Sequence, residues 1–144
     1  MIHVERKRIL MVDDDDRHLE LARSVLEAEG YILRTHHSAF GVSGVMQAFR
    51  PDLVLLDITM PGIPGDDLAA FLLADERTRH TPIVFYSSLD ESNIIRSAVN
   101  RRVRGFIRKG DIEALRSKVR FFLHNHCAQA MNEAFSRSRL YTVE

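Results

Sequence analysis

Apolar residues gather along this chain in short, nearly unbroken runs, separated by longer stretches of mixed character. Residues 9–12, 53–56 and 83–86 are almost wholly apolar, and weaker runs lie at 31–35 and 105–107. Runs of this length without alternation suit strands buried on both faces of a parallel sheet. The stretches between them carry apolar residues three and four apart, the spacing of one helix face. Leu19, Ala22, Val25 and Leu26 form a first stripe. Val42, Val45, Met46 and Phe49 form a second, and Leu68, Phe71 and Leu72 a third. Ile94, Ile95, Ala98 and Val99 form a fourth, and Ile112, Leu115, Val119, Phe122 and Leu123 a fifth. Gly30 follows the first stripe, where a left-handed residue closes a helix, and Pro51 stops the second. Five strands alternating with five helices, joined by right-handed crossovers, predict an α/β fold: one doubly wound parallel sheet with helices on both faces.

Composition narrows the class without naming a function. A chain of 144 residues is about one domain and can bury a core without staples. Lys plus Arg and Asp plus Glu balance at 20 each, so net charge exerts no general pull toward nucleic acid or anionic membrane. The single cysteine, Cys127, excludes an internal disulfide framework and suits a reducing compartment. The N-terminal apolar run is too short for a signal-peptide core or a membrane span. A cytoplasmic protein is expected.

The candidate chemistry lies where the apolar runs end. In open parallel sheets, ligands bind beyond the carboxyl ends of the strands. Asp13 and Asp14 follow the first run, Asp57 the third, Ser87 and Ser88 the fourth, and Lys109 comes just after the fifth. The second ends in Arg34, Thr35, His36 and His37, with no carboxylate. In a sheet ordered 2-1-3-4-5, strands one and three are neighbours. Asp13, Asp14 and Asp57 then surround one pocket, with Ser87 and Lys109 on its far side. Carboxylates so close raise one another's pKa unless a cation neutralises them. Mg²⁺ takes oxygen ligands, uses one or two carboxylates and keeps waters that a phosphoryl group can displace. Lys109 adds a mobile point charge for a phosphate oxygen, and Ser87 a hydroxyl. Such a set suits forming and stabilising an acyl phosphate. Asp15 and Asp16, by contrast, are expected in the turn and the first helix turn, accepting free backbone N–H groups.

These residues and the segments around them, "ILMVDDD", "PDLVLLDITMPGIPG", "TPIVFYSS" and "GFIRKG", resemble the receiver domain of two-component response regulators, of the single-domain chemotaxis-regulator type. The resemblance covers residues 7–126. It implies the flavodoxin-like (βα)5 fold with strand order 2-1-3-4-5, and phosphorylation of Asp57 by a histidine kinase or phosphotransfer protein. It further implies that Asp14 ligates Mg²⁺ (or Mn²⁺) directly and Asp13 through water, with Asp57 and the Thr59 carbonyl completing the site. Ser87 and Lys109 would contact phosphoryl oxygens. Phe106 is similar to the switch aromatic that turns inward when the hydroxyl residue moves.

The family usually carries Lys-Pro with a cis bond where this chain has Lys109-Gly110. A non-proline cis bond costs about 2.5–4 kcal/mol, so a trans bond and a differently shaped loop are expected. Phe106 in place of Tyr loses a hydroxyl. Arg96, Arg101, Arg102, Arg104 and Arg108 concentrate on the side that receivers use for signalling, formed by helix four, strand five and helix five. They are expected to form a docking surface for an acidic downstream partner. Residues 127–144 either extend helix five or form a loose tail. If the stripe continues through Cys127, Ala130, Met131, Ala134 and Phe135, one helix runs over 111–136, roughly 39 Å at ~1.5 Å per residue. Its exposed apolar stripe would then invite a second copy.

Other readings are weaker. A pseudo-receiver acting as a constitutive interaction module, or a phosphorelay intermediate or phosphate sink, shares the same sequence features. The His36-His37 and His124-x-His126 pairs are ordinary surface histidines rather than metal ligands. No G-x-G-x-x-G follows the first strand, against a dinucleotide site. Haloacid dehalogenase phosphatases carry a second Asp two residues after the nucleophile, where this chain has Thr59. Direct binding to nucleic acid or membrane is not expected.

Overall fold

A computed structural model describes residues 5–88 and 102–124. Five strands, β1 (Arg8–Val12), β2 (Ile32–His36), β3 (Leu53–Leu56), β4 (Ile83–Ser87) and β5 (Gly105–Arg108), form one parallel sheet in the order β2-β1-β3-β4-β5. Helices α1 (Asp16–Ala28), α2 (Val42–Phe49), α3 (Gly65–Ala74) and α4 (Ile112–His124) accompany it. The fourth apolar stripe read from the sequence and the 127–144 segment lie outside the described residues, so α4 corresponds to the fifth stripe.

The apolar runs become strands because both faces of the sheet are covered. Successive side chains point to opposite faces, so each run feeds two cores. Ile9, Met11, Leu53, Leu55, Val84 and Tyr86 pack on one face with α1 and α4 residues such as Leu26 and Val119. Leu10, Val12, Val54, Leu56, Ile83 and Phe85 pack on the other with α2 and α3 residues such as Met46 and Leu72. β1, β3 and β4 are buried almost throughout. The two edge strands are the exceptions: β2 is half-exposed along its length and β5 fully buries Ile107 alone, which is why their runs are weakly apolar. The third stripe is also displaced from expectation. Leu68, Ala69 and Leu72 face the core, whereas Phe71 is 59% exposed.

The punctuation residues behave as their chemistry requires. Gly30 adopts φ +97 after α1, and the N–H groups of Gly30 and Tyr31 return to the carbonyls of Glu27 and Leu26. α2 ends one residue before Arg50, which itself turns left-handed ahead of Pro51. Among the described residues, no helix is long and apolar enough to cross a membrane.

Candidate functional site

The register of the two central strands builds the pocket. Val12 of β1 stands opposite Leu56 of β3, so the next residues, Asp13 and Asp57, leave neighbouring strands at one level. Both backbones are fixed one residue past the ladder: Asp57 N donates to Val12 O at 2.9 Å and Asp13 N to His36 O at 3.1 Å. One carboxylate oxygen of each is then spent on a local turn. Asp13 Oδ1 accepts from Asp15 N at 2.9 Å, and Asp57 Oδ1 accepts from Thr59 N at 3.2 Å. The second oxygens face the Lys109 ammonium. Nζ lies 2.5 Å from Asp13 Oδ2 and 3.3 Å from Asp57 Oδ2. Lys109 therefore bridges the two carboxylates rather than standing across the pocket from them, the place expected from the sequence.

Asp13 and Asp57 are buried and Asp14 is exposed at the mouth. One carboxylate oxygen from each lies within 4.8 Å of the others. Desolvation is the main reason the Asp57 carboxyl is pushed up to about 6 from 3.8, and the Asp13 charge adds to it. The Lys109 charge and the Thr59 N–H oppose the shift without cancelling it. Burial therefore outweighs the stabilisation that the single ammonium gives the Asp57 carboxylate. Apart from that ammonium, the buried Asp13 Oδ2 has no hydrogen-bond partner among the described residues. Hard oxygen donors, an under-neutralised carboxylate and an open mouth fit a hard divalent cation.

The other strand ends close the pocket. Ser87 terminates β4, is fully buried, and its carbonyl accepts from Lys109 N at 2.9 Å. That bond extends the Ser87–Arg108 register by one residue and aims Lys109 at the carboxylates. The Lys109-Gly110 peptide is trans, as expected. Gly110 takes φ +92, and Asp111 Oδ1 then accepts from Ala114 N at 3.0 Å, capping α4. Phe106 sits opposite Phe85 on β5, half-buried. The Lys118 ammonium lies 4.7 Å from its ring centroid and donates to its carbonyl at 3.0 Å.

One positioning residue went unnoticed in the sequence. Gly65 N donates to Ile58 O at 2.7 Å, and an added Cβ would stand 2.6 Å from Ile58 Cα, hard against the Asp57 carbonyl. Only glycine lets α3 start this close to the Asp57 backbone. The signal for it was the Pro64-Gly65 pair at a helix start.

The four consecutive aspartates divide as expected, save that Asp16 opens α1 without capping it. Asp15 alone caps α1, accepting from Arg17 N at 2.9 Å. Asp16, placed beside it as a second cap, turns outward and pairs with His37 Nδ1 at 2.8 Å. The basic residues also separate. Arg108 is exposed at the carboxyl end of β5, while Arg102 and Arg104 precede the strand at its other end. Arg96 and Arg101 lie outside the described residues. Of the discounted histidine pairs, His36 Nε2 meets Phe40 O and His124 Nε2 meets the Tyr31 hydroxyl at 3.2 Å, while His126 lies outside the described residues.

Comparison with known proteins agrees with this geometry. Residues 9–120 match the family model of the response regulator receiver domain. The chain is 28% identical over 110 residues to the polar-differentiation response regulator DivK of Brucella ovis, covering 76% of each. Its fold is similar to the BeF3-activated N-terminal receiver domain of Klebsiella pneumoniae RstA, with a TM-score of 0.75 and 28% identity over 83% of this chain and all of that one. The chemotaxis protein CheY4 of Vibrio cholerae shares the fold at a TM-score of 0.75 and 19% identity, again over 83% of this chain and all of that one. With the 2-1-3-4-5 parallel sheet and the acidic pocket at its carboxyl edge, this chain belongs to the response regulator receiver domain family of two-component signalling.

Proposed function

We propose that the chain is a phosphorylatable receiver whose phosphoacceptor is Asp57. The observation that carries the reading is the convergence of Asp13, Asp14 and Asp57 oxygens within 4.8 Å around a buried lysine. Asp57 Oδ2 attacks the phosphorus of a phosphohistidine on a histidine kinase or phosphotransfer protein. The P–N bond breaks, the imidazole leaves and an acyl phosphate forms; water later attacks phosphorus and returns the carboxylate. Asp13, Asp14, Asp57 and the Thr59 carbonyl would hold Mg²⁺ or Mn²⁺, which supplies charge neutralisation for the transferring phosphoryl group. Lys109 moves from the carboxylates to a phosphoryl oxygen, and Ser87 donates a hydrogen bond to another. The chain is not a classical enzyme, since it modifies and restores only itself.

The acyl phosphate biases Ser87 and Phe106 toward a second arrangement. Support for Phe106 as the moving part is its half-burial: its ring is held by Lys118 rather than locked in the core. The downstream partner is a protein docking beside β5 and α4. We assign residues 7–126 to the receiver and 127–144 to an extension or tail, through which a second copy can pair. The cytoplasm is the expected compartment.

Acetyl phosphate and Mg²⁺ should add one phosphoryl group by intact-mass spectrometry, and Asp57→Asn should not take it up. Beryllofluoride with Mg²⁺ should give saturable, Asp57-dependent NMR shifts. A wild-type chain inert to both reagents would replace the switch by a constitutive interaction module.

A further inference from the structure

The geometry points to a second functional surface at the amino-terminal pole of the sheet, opposite Asp57: a docking site for a short, carboxylate-rich stretch of a partner protein. The strand order sets β1, β3, β4 and β5 side by side. Arg6 and Arg8 lie at the start of β1, Arg50 just before β3, Arg79 in the turn leading to β4, and Arg102 and Arg104 before β5. Arg6, Arg50, Arg79, Arg102 and Arg104 are exposed. Of the acidic groups nearby, Asp75 is held by the Arg77 guanidinium at 2.9 Å, and Asp52 Oδ2 accepts from Arg8 N at 2.8 Å. Glu5 and Glu76 are exposed there. A chain with balanced formal charge thus carries a local basic pole.

Two features argue that these cations are placed for a purpose beyond solubility. First, two of them are anchored, the exposed Arg6 and the half-buried Arg8. Arg6 Nε donates to Gly30 O at 2.9 Å, and Arg8 Nε donates to Arg50 O at 3.1 Å. A guanidinium has five N–H donors, so most remain for a ligand, and their orientation is already fixed, which lowers the entropy cost of docking. Second, Arg50 at φ +54 and Arg102 at φ +59 are the two non-glycine residues with positive φ among the described residues. Gly30, Gly41, Gly62 and Gly110 fill the other such positions. Glycine is the residue backbone energetics favour there. Twice, at this pole, the chain carries arginine instead. Retaining an arginine on a left-handed backbone where glycine would be easier is the mark of a site that uses the side chain.

The size of the patch selects the partner. Three inter-strand steps of ~4.8 Å span about 14 Å, the length of roughly four extended residues at ~3.3 Å each. That suits a run of Asp and Glu side chains. A nucleic acid makes many phosphate contacts over a longer track, and the balanced charge of the chain offers no long-range attraction to it.

The test uses the full, unphosphorylated chain, so a failure of phosphoryl uptake at Asp57 leaves its outcome unaffected. Fluorescence anisotropy of a labelled oligoglutamate peptide is measured with wild type, with Arg50→Gly/Arg102→Gly, and with Arg17→Gln/Arg34→Gln as an equal charge change away from this pole. The expected result is salt-sensitive binding that weakens at least about tenfold in the glycine variant. Its thermal midpoint should stay level or rise, and the control variant should bind as wild type does. The proposal is overturned by equal binding across the three proteins, by absent binding, or by a glycine variant that melts earlier, which would make the arginines structural. Tighter binding of labelled oligothymidylate than of oligoglutamate would overturn it in favour of nucleic acid.

Discussion

Asp57→Asn in metal-free buffer should stabilise the fold, and the gain should depend on pH in one direction only. Burial beside Asp13 raises the Asp57 carboxyl from 3.8 to about 6. A carboxyl raised on folding favours the folded state fully below pH 3.8, and that contribution is lost as pH rises through about 6. Above pH 6 the wild type folds with an ionised carboxylate in an unfavourable place, while asparagine carries no charge. A shift of about two units at ~1.36 kcal/mol per unit sets a ceiling near 3 kcal/mol. Because the pocket opens to solvent at Asp14, screening reduces the expected gain to about 1–2 kcal/mol at pH 8. Urea denaturation followed by far-UV circular dichroism, in chelator, measures it at pH 8, 6 and 4. The difference should shrink as pH falls. With Mg²⁺ at a hundredfold excess over its dissociation constant, the wild type should gain ~2.7 kcal/mol that the variant largely forgoes. A variant less stable than wild type at pH 8 without metal, or a gain that grows toward pH 4, would refute the account of the pocket as under-neutralised.

Further expectations concern the scaffold of the pocket. Gly65→Ala should cost about 1–3 kcal/mol despite better helix propensity, and should weaken Mg²⁺ binding in a fluorescence or NMR titration, because the added methyl meets the Asp57 and Ile58 backbone. Lys109→Met removes the cation that holds the Asp57 carboxyl down; NMR titration should find its pKa above that of wild type, and phosphoryl uptake from acetyl phosphate should fall. Asp15→Ala should lower the thermal midpoint by removing the α1 cap, whereas Asp16→Ala, losing only an exposed contact to His37, should change it little. The Arg17 N–H holds the Asp15 carboxyl below its ordinary 3.8. Its capping contribution should therefore be present above pH 3.8 and fade as pH falls further, which calorimetry of the Asp15 variant at descending pH would register.

The sequence by itself determined the fold class and the membership of the pocket. Apolar runs such as residues 53–56 can be covered only by helices on both faces, and the crossover rule then leaves one parallel sheet. Carboxylates at the carboxyl ends of adjacent strands must meet whatever the loops do, so Asp13, Asp14 and Asp57 could be grouped once the strand order implied by the family resemblance set strands one and three side by side. What escaped was whatever depends on distances between segments remote in the chain. Lys109 bridging Asp13 and Asp57 depends on how Ser87 O receives Lys109 N across β4 and β5. The need for Gly65 exists only because α3 begins against the Asp57 backbone. Phe71 fits the third stripe by its period, yet Ala69 takes the core side, since the rotation of α3 on the sheet is set by packing. Arg102, Arg104 and Arg108 read as one basic cluster because they are close in sequence. The four residues of β5, at ~3.3 Å each, carry Arg108 about 13 Å from the pole where Arg102 and Arg104 join Arg50. Periodicity records which residues an element turns toward its neighbours; only the tertiary structure fixes which neighbours they meet and at what distance.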